Sequence, residues 1–255
     1  MLPSATRIVE FETIDSTNTE AHRRAADGER GPIWLRSDAQ EAGRGRSGRP
    51  WSSPPGNLSA TYMFTPECPR SVFHHLSFVA AVAAHDAIAP NLTSGKALQL
   101  KWPNDLLINS AKVGGILVES SKYDSDIVVM IGIGINIAVL PDVDGRNVTK
   151  LDAHGPAPSP SQLVQHLADM MTAWLTTWDN GREFETVRQA WLARAHPLGQ
   201  ALTVNTNERQ LAGTFAGLAE NGALLLATHA GETCRVEHGD VALAATIPVP
   251  ERRHE

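Results

Sequence analysis

Gln40–Gly56 reads QEAGRGRSGRPWSSPPG, and its second half decides between two kinds of fold. Gly43, Gly45 and Gly48 match G-x-G-x-x-G, the dinucleotide fingerprint, which requires a helix to open directly after it. Pro50, Pro54 and Pro55 follow instead, and proline lacks the amide donor that a helix uses. A Rossmann reading therefore fails. What remains is a loop in which Arg44, Arg46 and Arg49 are spaced by Gly45, Ser47 and Gly48, with Gly43 ahead of them. Glycine lets backbone amides approach a ligand closely. Guanidinium groups hold carboxylates and phosphates through paired hydrogen bonds. The loop is expected to bind a carboxylate-and-phosphate ligand, to be mobile and self-repelling while empty, and to order when filled. The blander readings are a solvated surface loop and an Arg/Gly RNA-binding tail. The segment is short, unrepeated and internal, which disfavours the tail.

The whole chain points to a small ligand. Its 255 residues allow one large domain, or one medium and one small. The formal net charge of −6 argues against broad attraction to nucleic acid or anionic lipid, so the basic loop is a local feature. Cys68 and Cys234 stand far apart with no C-x-x-C, so neither a disulfide framework nor a zinc site is expected. The start has no basic n-region, and no apolar run approaches transmembrane length. The expected compartment is the cytoplasm.

Outward from the loop, Thr6–Ile14 reads as a strand. A helix of about three turns follows, with a capping-box spacing at Thr17 and Glu20 and a stop at Gly28. Ile33–Arg36 and Leu58–Phe64 read as strands, and Phe73–Ile88 as an alanine-rich helix stopped by Pro90. The segments ALQLKW, DLLIN, KVGGILVES and DIVVMIGIGINI are strand-like, and Asn109-Ser110-Ala111 joins two of them as a hairpin. Val139–Pro160 is a long loop, followed by helices over Ser161–Trp178 and Arg182–Ala195. After Pro197 come five short strands separated by turns, which suggests a small β-barrel appended to an α/β unit. The chain is expected to begin directly on that unit, with no helix-turn-helix module ahead of it.

Four more segments carry chemistry. Asp15-Ser16-Thr17-Asn18 marks a strand-to-helix junction, where hydroxyls and free amides meet a polar ligand; an ordinary cap is the plainer reading. In KWPND, Lys101, Asn104 and Asp105 flank a stiff Trp-Pro, offering a cation for phosphate and a carboxylate for Mg²⁺. In KVGG, Lys112 precedes Gly114-Gly115, and glycines inside a strand mark close approach of a ligand or backbone. In GIGIN, Gly132 and Gly134 leave one strand face open to a flat apolar ligand, and Asn136 adds an amide that both donates and accepts.

DSTN, QEAGRGRSGRPW, KWPND, KVGGILVE and GIGIN, in this order, resemble the biotin protein ligases over most of residues 8–140. The resemblance implies an α+β fold. Its catalytic domain, residues 1–196, would be like the class II aminoacyl-tRNA synthetases, and residues 197–255 would form a small SH3-like domain. It implies an ATP-dependent ligase that forms biotinyl-5′-AMP and passes biotin to a lysine of a biotin carboxyl carrier protein, such as that of acetyl-CoA carboxylase. The substrates would be biotin and ATP with Mg²⁺.

The resemblance also implies residue roles. Ser16, Thr17, Asn18 and Gln40, with the backbone near Gly43, Arg44 and Gly45, would hold the ureido head of biotin. Gly115, Leu117, Gly132 and Ile135 would line the wall for the ring and valeryl chain. Arg46, Arg49 and Lys101 would face phosphate, Trp51 would close over the nucleotide, and Asn136 would meet adenine. Asn104 and Asp105 would face the nucleotide and its Mg²⁺. Lys112 and Arg46 would be the catalytic cations beside the reacting carboxylate and α-phosphate. Glu41, Pro50 and Gly114 depart from common family residues without removing a group that these roles need. A lipoate or octanoate ligase of the same superfamily is the nearest rival, and a biotin-responsive repressor a more distant one. Relatives of this kind can form homodimers, and no residue pattern here decides that.

Overall fold

A computed structural model describes residues 7–94, 97–141, 147–206, 209–228 and 231–243. Seven strands form one mixed sheet: β1 (Arg7–Ile14), β2 (Ile33–Gln40), β3 (Leu58–Phe64), β4 (Leu98–Lys101), β5 (Asp105–Ile108), β6 (Ala111–Tyr123) and β7 (Asp126–Ile135). Their order is β1-β2-β3-β7-β6-β5-β4. β1 and β2 run parallel and the other neighbours antiparallel. The hairpin expected at Asn109-Ser110 is present, with φ of 50° and 65° at the two residues, the pairing that two-residue β-turns demand.

Alternation along β7 explains what covers each face. Val129, Ile131, Ile133 and Ile135 point to the side packed by α2 (His75–Ile88), α3 (Pro160–Trp178) and α4 (Phe184–Leu192). The alanines of α2 let it lie buried along most of its length between sheet and outer helices. On the other face, Val128 and Met130 join Ile33, Leu35 and Met63 under Ala21 and Ala25 of α1 (Thr17–Ala26). The same face of β7 then continues with Gly132 and Gly134, where the apolar cover ends.

The five strands expected after Pro197 are β8 (Ala201–Asn205), β9 (Gln210–Leu218), β10 (Leu224–Ala227), β11 (Thr233–Val236) and β12 (Asp240–Leu243). They form a separate antiparallel sheet ordered β11-β10-β9-β8-β12, as an SH3-like domain requires. Leu202, Val204, Phe215, Leu224 and Val241 belong to the same buried cluster as α2 and α4, so the small sheet packs directly on the large unit. Trp102 fastens the contact: its indole N–H donates to the Gly222 carbonyl at 3.1 Å. A Cβ on Gly222 would stand 2.8 Å from the Phe78 ring, so the turn needs a glycine there.

Two local expectations are corrected. The capping box at Thr17 and Glu20 does not form: Ser16 is the N-cap and makes no side-chain cap bond, while Thr17 donates to Gln40. A distant side chain satisfies an orphan helix donor that a local one was expected to take. The strand placed at Ile33–Arg36 runs on to Gln40, because β1 pairs with it along its whole length up to Ile14↔Gln40. Of the loop at Val139–Pro160, residues 142–146 lie outside the described residues.

Candidate active site

Four strands build the floor of the site in rows. Asp105, Gly115, Gly134 and Ser59 are consecutive register partners across β5, β6, β7 and β3. Leu117, Gly132 and Thr61 form the next row, and Glu119, Met130 and Met63 the third. The first two rows are lean at their centre, so a cavity of about 820 Å³ opens above them, a size that suits a small-molecule ligand.

A bulge puts the lysine into it. Leu106 pairs with Gly114 but Leu107 pairs with Lys112, so Val113 is an extra residue in β6. Such an insertion reverses side-chain parity and re-aims the next residue. Lys112 thereby faces the same side as Gly115, where a Cβ would lie 3.3 Å from its Cε and Nζ. Val113 turns instead into the core.

Asp105 anchors two cations. Its carboxylate accepts from Lys112 Nζ and, at 2.8 Å, from Lys101 Nζ. Burial would raise the Asp105 carboxyl, but the neighbouring charges of Lys101 and Lys112 outweigh it and hold the group below the usual range. With both carboxylate oxygens engaged by ammonium groups, Asp105 fits an anchor for lysines and does not fit a protein-held Mg²⁺ site. Asn104 donates to the Ile116 carbonyl at 2.6 Å, which fixes the turn carrying Asp105.

The opposite end is polar and closed. Gln40 Oε1 accepts from Thr17 N–H at 2.8 Å and from its hydroxyl at 3.1 Å, and Gln40 Nε2 donates to Ser53 at 2.7 Å. The Thr61 hydroxyl lies 2.7 Å from Thr17 Oγ1 and 2.6 Å from Asn18 Oδ1. Asn18 Nδ2 donates to Glu119 at 2.6 Å. The His22 contact lowers the Glu119 carboxyl, burial opposes it, and Asn18 adds to the lowering. Asn18 thus presents a fixed amide above Gly132, where a Cβ would meet its Oδ1 at 2.4 Å.

The Arg/Gly loop closes the third side. It folds back on itself through Trp51 N–H to Gly43 O at 2.9 Å and Gly45 N–H to Arg49 O at 2.8 Å. Gly48 turns the chain at φ 71°. The Trp51 indole lies on Gly134, where a Cβ would sit 2.5 Å from it, and Lys112 Nζ is 5.4 Å from a Trp51 ring centroid. The arginine charges within the loop repel one another, and Arg49 Nη2 donates to both carboxylate oxygens of Asp240, each at 2.7 Å, with Arg46 Nη1 3.7 Å from the same group. A carboxylate from the small sheet relieves the repulsion.

The structure therefore brings Ser16, Thr17, Asn18, Gln40, Arg44, Gly45, Arg46, Arg49 and Trp51 to one cavity with Lys101, Asn104, Asp105, Lys112, Gly115, Leu117 and Gly132. It does not bring Gly43, Ile135 or Asn136 to the wall. Gly43 lies behind Trp51 and Gln40. Ile135 faces the helices, and Asn136 is buried with Nδ2 donating to the Thr149 carbonyl at 3.0 Å. Sequence reasoning singled out Gly134, with Gly132, on the open face of its strand, and missed Ser59, its register partner in β3. It also missed Gln200, Asn205 and Asp240–Leu243 from the small sheet, which no local pattern marks.

Comparison with known proteins agrees with this convergence. The sequence profile of the biotin/lipoate A/B protein ligase family matches residues 10–137. A biotin–[acetyl-CoA-carboxylase] ligase of Paracoccus denitrificans is 38% identical over 224 residues, covering 85% of this chain and 92% of that protein. A bifunctional ligase/repressor of Bacillus spizizenii is 32% identical over 239 residues, covering 86% of this chain and 69% of that protein. In fold, the chain is similar to the biotin protein ligase of Aquifex aeolicus solved in complex with biotin and ATP. The TM-score is 0.76 at 23% identity, over 93% of this chain and 99% of that one. The matched span runs from β1 through the glycine floor of β7 and so contains the closed polar end, the Arg/Gly loop and the bulged lysine together: the chain belongs to the biotin/lipoate A/B protein ligase family.

Proposed function

We propose that this protein is an ATP-dependent biotin ligase. It activates biotin as biotinyl-5′-AMP and transfers the acyl group to a lysine of a biotin carboxyl carrier protein. The observation that carries this reading is one trough with a polar closed end at Thr17, Asn18 and Gln40, a glycine floor, and Lys112 aimed across Gly115. A bicyclic ureido acid with an aliphatic chain has that sequence of chemistries. A lipoyl chain has no ureido group to use the closed end.

In the first step an oxygen of the biotin carboxylate bonds to the α-phosphorus of ATP, and the bond to pyrophosphate breaks. In the second, the amine of the acceptor lysine bonds to the acyl carbon, AMP leaves, and the amine gives up a proton. Neither step needs an enzyme nucleophile. The protein's task is to hold two anions about 3–3.5 Å apart and to stabilise charge on phosphorus and leaving group. Lys112 is placed for the shared anions, and its ion pair with Asp105 keeps it over Gly115. Arg46, Arg49 and Lys101 take the phosphates, and Arg44 stands by the ureido end, where it donates to Thr19 at 3.2 Å. Trp51 packs against the nucleotide, while Asn136 and Ile135 support the wall from behind. Mg²⁺ enters with the triphosphate as part of the substrate. The acyl phosphate is water-labile, so the Arg/Gly loop serves as its cover.

The acceptor is proposed to be a carboxylase carrier domain, as the name of the Paracoccus relative suggests for that protein, and the compartment the cytoplasm. Among the described residues no helix is long and apolar enough to cross a membrane. The test is ATP–pyrophosphate exchange with biotin and with lipoate in parallel, followed by AMP release in the presence of a carrier domain. Exchange with lipoate and none with biotin would overturn the assignment.

A further inference from the structure

Three consecutive residues, Gly239 and the first two of β12, engage three cations of the site. Arg46 Nη1 donates to the Gly239 carbonyl at 3.3 Å, Arg49 Nη2 to both oxygens of Asp240 at 2.7 Å, and Lys101 Nζ to the Val241 carbonyl at 2.7 Å. All three cations line the cavity, as do Asp240 and Val241. Gly239 allows the approach: a Cβ there would stand 2.9 Å from Val204 Cγ1 and 3.0 Å from the Asn205 carbonyl oxygen of β8.

We propose that Asp240 is an internal competitor of the nucleotide, a carboxylate that occupies the phosphate seat on Arg49 and Arg46 until ATP takes it. This rests on the reading of the cavity as an ATP-dependent ligase site. A carboxylate bonded by two oxygens to a guanidinium is the nearest side-chain equivalent of a phosphate on the same group. The seat is held in shape by a group that can leave it. The Arg49 and Asp240 side chains are 41% and 47% exposed, so water screens the pair and its strength is modest. A triphosphate brings several charges against one and displaces it. Breaking the Arg49–Asp240 pair is then part of nucleotide binding and weakens it by the modest strength of that pair. The small sheet gains a role in the same way: it supplies the anion that the phosphate displaces.

An internal competitor lowers apparent affinity by the fraction of molecules in which the seat is filled. Removing it should tighten binding by roughly three- to fivefold for a half-exposed pair. The experiment compares the full-length chain with Asp240→Asn and Asp240→Glu, using inorganic tripolyphosphate binding by calorimetry and biotin-dependent ATP–pyrophosphate exchange. Asp240→Asn is expected to tighten tripolyphosphate and to lower KM for ATP by that factor, while KM for biotin moves by less than about twofold. Asp240→Glu, which keeps the charge, is expected to stay close to the wild type. Should the amide unfold the strand, Asp240→Ser removes the same charge and is read the same way. Unchanged or weaker tripolyphosphate binding in a folded, uncharged variant overturns the proposal. A merely structural Asp240 would instead depress kcat, Tm and affinity for both substrates. If wild-type exchange with biotin is absent while tripolyphosphate still tightens, the ligase reading fails and the role of Asp240 stands.

Discussion

Gln40 Oε1 accepts both donors of Thr17, the backbone N–H at 2.8 Å and the hydroxyl at 3.1 Å. The end of β2 is thereby tied to the first turn of α1, and Ser53 holds the other end of the same amide at 2.7 Å. Gln40→Ala removes the acceptor and leaves the Thr17 amide without that partner, at a cost of about 1–3 kcal/mol. The loss falls on the closed end of the trough. KM for biotin should rise about tenfold or more while KM for ATP stays within about twofold. Exchange kinetics with each substrate varied in turn measure the split, and an equal rise in both KM values would refute this placement.

Gly132 and Gly134 are two residues apart on one face of β7, yet a methyl group on each meets a different neighbour. At Gly132 it would stand 2.4 Å from Asn18 Oδ1, and at Gly134 2.5 Å from the Trp51 indole. Both distances are far inside contact, so the neighbour must move. Gly132→Ala should therefore raise KM for biotin, and Gly134→Ala should raise KM for ATP, each by about an order of magnitude if the displaced group costs roughly 1–2 kcal/mol. The same exchange assay separates them. A reversed pattern would mean that the trough is occupied in the opposite direction.

Lys112→Ala should lower the rate of adenylate formation by about two orders of magnitude or more, the usual effect of losing one charged donor at a reacting anion. Lys101→Ala keeps the Lys112–Asp105 pair and should act mainly on KM for ATP. Single-turnover measurement of biotinyl-5′-AMP distinguishes rate from binding. Near-normal adenylate formation in Lys112→Ala would remove it from the chemistry.

Most of the secondary structure was legible because its signals are local. The β5–β6 hairpin sits where Asn109-Ser110 allows positive φ, and the five short strands after Pro197 follow their turn residues. The site was legible as segments, through arginine, lysine and glycine in recurring company. What could not be read was relative placement. The direction of Lys112 depends on Val113 being extra against β5, a fact of register between strands. The partner of Thr17 lies 23 residues away, and the partner of Arg49 lies 191 residues away in another sheet. Asn136 reads as an amide that can donate and accept at the end of a glycine strand, but its burial and its bond to the Thr149 carbonyl depend on a segment 13 residues further on.

His75 gives the fold its expected acid sensitivity. Its ring stacks on Phe184 at 3.6 Å between centroids and accepts from the Trp178 indole N–H through Nδ1 at 3.3 Å. Burial, helped by the neighbouring His74, lowers its pKa from 6.5 to about 4. The folded state thus resists protonation that the unfolded chain accepts. Between pH 6.5 and about 4 the unfolded state binds more protons, so stability falls as pH falls, by up to about 1.4 kcal/mol per pH unit for this one group. Above pH 6.5 the effect vanishes, since both states are neutral there. His75→Phe keeps the ring stack and removes the titration. Urea unfolding at pH 7 and pH 4.5 should show the wild type losing about 2 kcal/mol more than the variant across that interval. Equal losses in the two proteins would place the acid sensitivity elsewhere, with His196, lowered to about 4 by burial and by Lys101, the next group to replace.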